Sequence, residues 1–178
     1  MKVVNWVVEK CSLLDQLFIT LTKLRLNIGH EDIATRFNCS RPTVSNVFNT
    51  IISALYNILY VGMMENNIPS RSKNAMSMPS CFSKFPNCRI VLDCTEISVD
   101  NTEQLDAQCS LYSNYKGRTT LKSLIGVAPN GVITFASNLY GGSVSDKAIT
   151  LDCGILDQLE EGDMILADKG FLIHDILP

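Results

Sequence analysis

The spacing of apolar residues changes along the chain, and this change constrains the fold more than any other feature of the sequence. In residues 12–28 apolar side chains recur every three or four positions, the period of an amphipathic helix that buries one face: Leu13, Leu14, Leu17, Leu21, Leu24 and Ile28. Beyond residue 88 they occur in short runs typical of strands, at residues 89–92, 120–127, 132–138 and 164–167. The sequence therefore predicts a helical module followed by an α/β domain.

The helical part contains three segments. The first helix is broken near Gly29, and residues 31–37 predict a short second helix. After a turn at Asn38, Ser40 can cap a third helix that reaches about residue 60. This order of helix, short helix, turn and longer helix is the arrangement that places its last helix in the major groove of DNA.

Polar residues near the start of the third helix decide whether this module binds DNA. Five of them can reach phosphates or base edges: Arg41, Thr43, Ser45, Asn46 and Asn49. Val44, Val47 and Phe48 are expected to pack inward. A helical bundle without any DNA contact has the same apolar pattern, so both interpretations stay open on pattern alone.

Charge is distributed unevenly between the two parts of the chain. Up to Cys88 there are 9 Lys and Arg against 5 Asp and Glu, whereas from Arg89 onward there are 6 against 13. A mildly basic front suits a polyanion, and an acidic rear repels phosphate unless divalent cations intervene. Ordinary scatter of surface charge is the alternative.

Cysteine usage and the N-terminus indicate an intracellular protein. The seven cysteines form an odd set without a CxxC pair, which favours reduced thiols over a disulfide framework or a zinc cluster. Residues 1–6 lack the apolar core of a signal peptide, and no apolar stretch approaches the roughly 20 uninterrupted residues of a membrane span. We therefore expect no membrane partner.

Two aspartates follow short apolar strands of the α/β part. Asp93 comes after residues 89–92 and Asp168 after residues 164–167. Carboxylates at the ends of neighbouring strands converge and can hold Mg²⁺ or Mn²⁺, which activate water for phosphoryl transfer. Aspartate is also a frequent turn or cap residue after a strand. Asp146 lies in the first turn of a predicted helix, where a simpler interpretation is that it complements the helix dipole.

A set of ordered motifs in the rear half resembles the PIF/Harbinger-type DDE superfamily endonucleases. The motifs are IVLDCTEI at residues 90–97, YSNYK at 112–116, TLK at 120–122, PNG at 129–131, YGGSVSD at 140–146 and ADKGF at 167–171. The resemblance covers about residues 89–178. Residues 12–60 resemble the helix-turn-helix module that precedes the nuclease in such transposases.

The resemblance implies a partial RNase H-like α/β domain, a divalent-metal cofactor (Mg²⁺ or Mn²⁺), and strand cleavage and transfer at transposon ends. It makes Asp93 and Asp168 the first two catalytic aspartates and metal ligands, with Asp146 as a secondary ligand or organiser. Lys116 and Lys122 match basic positions that we expect to contact DNA phosphate. The implied partner is double-stranded DNA in the nucleus. A homo-oligomer and an accessory DNA-binding partner are both left open.

The sequence departs from the family pattern at its end. The third acid of the family lies on a helix a few tens of residues beyond ADKGF, and the sequence stops at Pro178, so we expect an incomplete catalytic set and one sheet face without full cover. The alternatives to an enzyme are a catalytically inactive DNA-binding transposon remnant or domesticated protein, and a metal-free interaction domain. The predicted domains are a helix-turn-helix module at 1–61, a linker at 62–88 and a partial endonuclease domain at 89–178.

Overall fold

The computed structural model describes residues 11–65, 67–101 and 103–176, apart from the side chain of residue 107. The chain divides into two compact units, Met1–Gly62 and Met63–Pro178. The first is helical and the second is a mixed α/β sheet, which confirms the predicted fold class. Residues 1–10 and 177–178 lie outside the described residues. The first range includes the segment on which the expected lack of a signal peptide rests, and the second ends the third predicted domain.

Three helices form the first unit, with bounds close to the predicted ones. They are α1 at Leu13–Leu26, α2 at His30–Arg36 and α3 at Arg41–Leu55, and a π-helix continues α3 over Tyr56–Met64. Ser12 caps α1 in a reciprocal capping box with Asp15. The Ser40 hydroxyl accepts from the backbone N–H of Thr43, so Ser40 is the predicted cap of α3. The caps explain why these helices begin where they do.

The core of the first unit corrects one prediction. Ile19 of α1 is fully buried, together with Ile33, Val44 and Val47 of the other two helices. The leucine stripe of α1 is largely exposed instead, with Leu21 at 47% and Leu14 at 75%. The prediction of a buried leucine face was therefore wrong. Among the described residues, the side of α1 that meets this core carries Ile19.

The continuous helical stretch Arg41–Met64 is, by length and composition alone, apolar enough to cross a membrane. Such a segment was not expected from the sequence. Its first half buries Val44, Val47 and Ile51 in the three-helix core, and packing of this kind accounts for its apolar residues there. The π-helical second half has no buried residue.

The second unit contains a sheet of six strands. They are β1 at Cys88–Ser98, β2 at Tyr112–Ser113, β3 at Arg118–Val127, β4 at Ile133–Ala136, β5 at Tyr140–Gly141 and β6 at Met164–Ala167. The hydrogen-bonded order is β2-β3-β1-β6, with β4 and β5 also paired to β3. β3 is antiparallel to β1, whereas β6 is parallel to it. After the hairpin of β3 and β4, the chain thus crosses over to place β6 beside β1.

Short helices connect these strands. They are α4 at Arg71–Ala75, α5 at Leu105–Leu111 and α6 at Asp146–Asp152, with 3-10 turns at Ser80–Phe82 and Leu156–Gln158. The four predicted strands and α6 are confirmed, and β6 has the predicted bounds. Helices α4 and α5 and strands β2 and β5 were not predicted from the sequence.

The two faces of the sheet are covered unequally. Ile90 and Leu92 of β1 are buried together with Leu124 of β3 and Ile149 of α6. On the opposite face of β1 and β3 the apolar side chains are half-buried or exposed, and Ile97 is 55% exposed. Within the described residues, α6 therefore covers the face that carries Leu92.

The segment predicted as a linker packs partly into the second unit. Ile68 is buried in its core. Asn74 is also buried, and its side-chain amide donates to the carbonyl oxygen of Arg89 at 2.7 Å. The buried carboxylate of Asp163 lies 3.1 Å from the guanidinium of Arg71 and 3.3 Å from that of Arg89. These contacts join α4 to the N-terminal ends of β1 and β6.

The Gly-Gly pair of the YGGSVSD motif has a structural reason. A Cβ on Gly142 would lie 2.2 Å from the Thr120 hydroxyl oxygen and 2.7 Å from the Leu111 carbonyl oxygen. Only glycine allows so close an approach of the backbone. The motif thereby brings the end of β5 against the junction of α5 and β2.

Candidate active site

The two strand-end aspartates lie beside each other. β1 and β6 pair in parallel, with Val91 opposite Leu166 and Leu92 opposite Ala167. Asp93 and Asp168 are the residues that follow this last pair. Adjacent strands are roughly 5 Å apart, so the two aspartates follow neighbouring positions at the same edge of this pairing.

The surroundings of Asp93 and Asp168 leave their carboxylates accessible. Both residues are exposed. One oxygen of Asp93 accepts from the backbone N–H of Cys94 at 2.9 Å, and one of Asp168 accepts from that of Lys169 at 2.6 Å. The prediction that Asp93 ends its strand was wrong, because β1 continues to Ser98 by pairing with β3. It lies where the pairing with β6 ends.

Asp146 lies on the other face of β1. Side chains alternate along a strand, so Leu92 and Cys94 share a face that Asp93 does not. The Oδ1 atom of Asp146 accepts from Lys122 Nζ at 3.1 Å, and its carboxylate neighbours the Cys94 thiol. The structure thus brings Asp93 and Asp168 together and places Asp146 with Lys122.

The ammonium group of Lys122 is surrounded by acceptors. Besides Asp146 it donates to the Val144 carbonyl oxygen at 3.0 Å, and Glu96 Oε1 lies 4.0 Å away. The side chains of Lys122 and Glu96 are only 12% and 7% exposed. A contact of Lys122 with DNA stays a prediction, and it would require the ammonium to leave these partners.

Glu96 is the residue of this cluster that sequence reasoning missed. Its Oε2 atom accepts from the Thr120 hydroxyl at 2.7 Å. The signal was present in the motif DCTEI, because Glu96 lies an even number of positions from Leu92 and therefore shares its buried face. A buried carboxylate requires a partner, and Lys122 supplies it.

Cys94 is a protonated thiol in this environment. Burial, and to a smaller extent the neighbouring carboxylate of Asp146, together raise the pKa of Cys94 to about 12. A protonated thiol is a poor metal ligand and a poor nucleophile. Cys94 therefore contributes packing rather than chemistry.

The donor set at the edge of β1 and β6 fits a divalent cation only in part. Asp93 and Asp168 are neighbouring oxygen donors of the type that Mg²⁺ and Mn²⁺ prefer. Across residues 11–65, 67–101 and 103–176, no group of three or more His, Cys, Asp or Glu side chains is arranged to hold a metal ion. The described residues thus supply two of the ligands that such an ion requires.

Lys116 lies on the turn between β2 and β3. It is exposed, and its Nζ atom lies 4.6 Å from the centre of the Tyr115 ring. The side chain is accessible to a phosphate, in contrast to Lys122.

The five polar residues predicted to contact DNA lie on the first turns of α3 or just beyond. Arg41, Asn46 and Asn49 are exposed, whereas Thr43 and Ser45 are half-buried. Arg41 lies 3.7 Å from Glu31 of α2, and the Thr43 hydroxyl is hydrogen-bonded to Ser40 at 2.8 Å. The exposed three are available to DNA, and their role stays a prediction.

Comparison with known proteins agrees with both units. Residues 92–178 match the family model of the DDE superfamily endonuclease, and residues 10–60 match the helix-turn-helix of the DDE superfamily endonuclease. No curated protein and no solved structure shows a significant match. Endonucleases of this superfamily generally use divalent metal ions. Residues 10–60 thus belong to the helix-turn-helix of DDE superfamily endonucleases, and residues 92–178 belong to the endonuclease domain that gives the superfamily its name.

Proposed function

We propose that the chain is a transposase-derived, divalent-metal-dependent DNA endonuclease of the PIF/Harbinger type, with Asp93 and Asp168 as catalytic metal ligands. The observation that carries the proposal is the parallel register of β1 and β6, which ends immediately before both aspartates. The match of residues 92–178 to the endonuclease family supports it. Its cofactor is Mg²⁺ or Mn²⁺.

The two aspartates suit phosphoryl transfer. A bound divalent ion lowers the pKa of water and neutralises charge that develops on the phosphate oxygens. Asp93 and Asp168 hold the cation, and their own repulsion as neighbouring carboxylates is relieved by it. Each carboxylate engages one oxygen with a backbone N–H, which leaves its second oxygen available as a ligand.

The helix-turn-helix is proposed to hold double-stranded DNA at transposon ends, in the nucleus. Arg41, Asn46 and Asn49 present one cation and two amides on the exposed side of α3. Arginine contacts phosphate or guanine, and asparagine can pair with adenine. The match of residues 10–60 to a helix-turn-helix family supports this assignment.

A catalytically inactive DNA-binding protein, either a transposon remnant or a domesticated protein, is the second candidate. One observation favours it: among the described residues only two carboxylates meet at the candidate site, and Asp146 is engaged by Lys122. Such a protein binds DNA through the first unit and shows no metal-dependent cleavage.

Binding of Mn²⁺, followed by titration calorimetry, tests the site without relying on activity. We expect weak binding that is lost in Asp93→Asn and in Asp168→Asn, because each change removes one of two neighbouring charges. Asp157→Asn, which alters an exposed carboxylate on the 3-10 turn, is the matched control. Equal Mn²⁺ affinity in all four proteins would contradict the proposed site.

A nicking assay on supercoiled DNA then separates the two candidates. The enzyme predicts nicking that requires Mn²⁺ and disappears in Asp93→Asn. The inactive DNA-binding protein predicts DNA binding without nicking. Nicking that survives in Asp93→Asn would rule out the assigned catalytic residues.

A further inference from the structure

A cavity of about 410 Å³ opens beside α5 in the second unit. Its lining residues come from α5, β2, the turn after β2 and the segment after β5: Leu105, Gln108, Cys109, Tyr112, Asn114 and Ser143. The volume falls within the roughly 300–1,000 Å³ typical of small-ligand sites. None of the functional assignments made above uses this cavity.

The chemistry of the lining selects a neutral, planar, polar ligand. None of the six lining residues is charged, so the cavity does not itself suit a phosphate or a carboxylate. Tyr112 offers an aromatic ring, and the amides of Gln108 and Asn114 each offer donors and an acceptor. Proteins that hold an extruded nucleobase combine these two elements, stacking on an aromatic side chain and hydrogen bonds to the base edge.

The hairpin of β2 and β3, which contributes Tyr112 and Asn114 to the cavity, also carries the cations that a nucleic acid requires. Lys116 and Arg118 follow Asn114 closely, and both are exposed. Neither forms an ion pair with another described residue. Tyr115, beneath the Lys116 ammonium, is 85% exposed. Phosphates that flank a base in the cavity would therefore meet unpaired positive charge.

The walls of the cavity are held in place by the backbone. Tyr112 pairs with Thr119 and Ser113 with Arg118 across the hairpin. The turn closes through Gly117, whose φ of +65° suits glycine and whose N–H donates to Ser113 at 2.8 Å. The Ser143 hydroxyl donates to the Ser110 carbonyl oxygen at 2.7 Å. These bonds fix the backbone that carries Tyr112, Asn114 and Ser143.

The hairpin also lies toward the correct end of the sheet. Asp93 pairs with Ile125, and from there β3 leads back toward its start at Arg118, past the C-terminal end of β1. The seven residue steps from Ile125 to Arg118 span roughly 24 Å at about 3.4 Å per step. DNA held at Asp93 and Asp168 would reach the cavity within about one helical turn.

We propose that this cavity binds a nucleobase that has left the DNA duplex, with Lys116 and Arg118 contacting the phosphates beside it. The inference rests on the proposed function, since it takes DNA as the substrate. It adds a base-binding site that is separate from the helix-turn-helix and from the aspartates.

The test compares the full chain on two DNAs, a paired duplex and the same duplex with one unpaired 2-aminopurine. Fluorescence anisotropy gives both affinities, and the helix-turn-helix contributes equally to each. We expect at least about fivefold tighter binding of the bulged DNA, as for one base stacked on an aromatic ring, with quenching of the 2-aminopurine. Tyr112→Ala and Gln108→Ala should reduce the preference, and Tyr112→Phe should retain it.

Thiol protection provides a second measurement that needs no variant. Cys109 lines the cavity and Cys81 does not, and both thiols are exposed. Bulged DNA should slow alkylation of Cys109 and leave Cys81 unchanged. Equal affinity for both DNAs without protection of Cys109 would overturn the base site alone. A chain that binds neither DNA would overturn the proposed function as well.

Discussion

The ammonium of Lys122 lies 3.1 Å from the carboxylate of Asp146, and this contact joins β3 to the first turn of α6. The same ammonium is the cationic partner of Glu96, whose side chain is only 7% exposed. The pair therefore has two consequences. It holds α6 against the sheet, and it neutralises a carboxylate that is shielded from water.

Replacing Lys122 by methionine should destabilise the second unit by about 3 kcal/mol, since it leaves the buried Glu96 carboxylate without a cationic partner. Urea unfolding measures the change. Lys147→Met is the control, because its ion pair with Asp175 is exposed on both sides and should contribute much less to stability. If both variants lost the same stability, the buried cluster would have no special role.

The raised pKa of Cys94 should make the free energy of unfolding depend on pH in the alkaline range. Its pKa is raised to about 12 from the ordinary value of 9.0, mainly by burial. Between these values the unfolded chain has lost the proton and the folded chain retains it, so the unfolded state binds fewer protons. Stability contributed by Cys94 is complete below about pH 9 and falls as pH rises toward 12.

Urea unfolding of wild type and Cys94→Ala at several values between about pH 8 and 11 measures this loss. We expect a shallower decline in the variant. Some decline should remain, because burial also raises the pKa of Tyr140 to about 12. Parallel pH profiles for the two proteins would contradict the assignment.

Gly142→Ala should cost about 1–3 kcal/mol, because its Cβ would overlap Thr120 and the backbone of Leu111. Thermal unfolding detects this loss. Gly170→Ala provides the control, since nothing lies within 4 Å of the Cβ position there. An unchanged melting temperature in Gly142→Ala would mean that the junction of α5 and β2 can move away from β5.

The adjacency of Asp93 and Asp168 could be predicted from the sequence, because each follows an apolar strand and a right-handed crossover places the second strand beside the first. The position of Asp146 could not. It depends on which face of the sheet α6 covers, and its partner Lys122 is 24 positions away. Local patterns do not specify such a contact.

Two further differences have local causes. Helix α5 was missed because its terminal leucines, Leu105 and Leu111, are six positions apart and show no helical period. The leucine stripe of α1 was misassigned because periodicity identifies an apolar face but not whether a neighbouring element is large enough to cover it. Ile19, outside that stripe, fills the core instead.

The last prediction concerns the first unit and its affinity for DNA. The described part of α3 offers a single exposed cation, Arg41, so we expect weak binding that depends mainly on phosphate contacts and falls steeply as salt increases. Arg41→Ala should weaken binding and lower the slope of log affinity against log salt by about 1.

Arg25→Ala, which removes an exposed cation from the last turn of α1, is the matched control because it changes net charge equally without altering α3. Anisotropy titrations of the full chain on duplex DNA at several salt concentrations measure both quantities. Equal losses in the two variants would indicate attraction by overall charge, and an affinity independent of salt would contradict phosphate binding by α3.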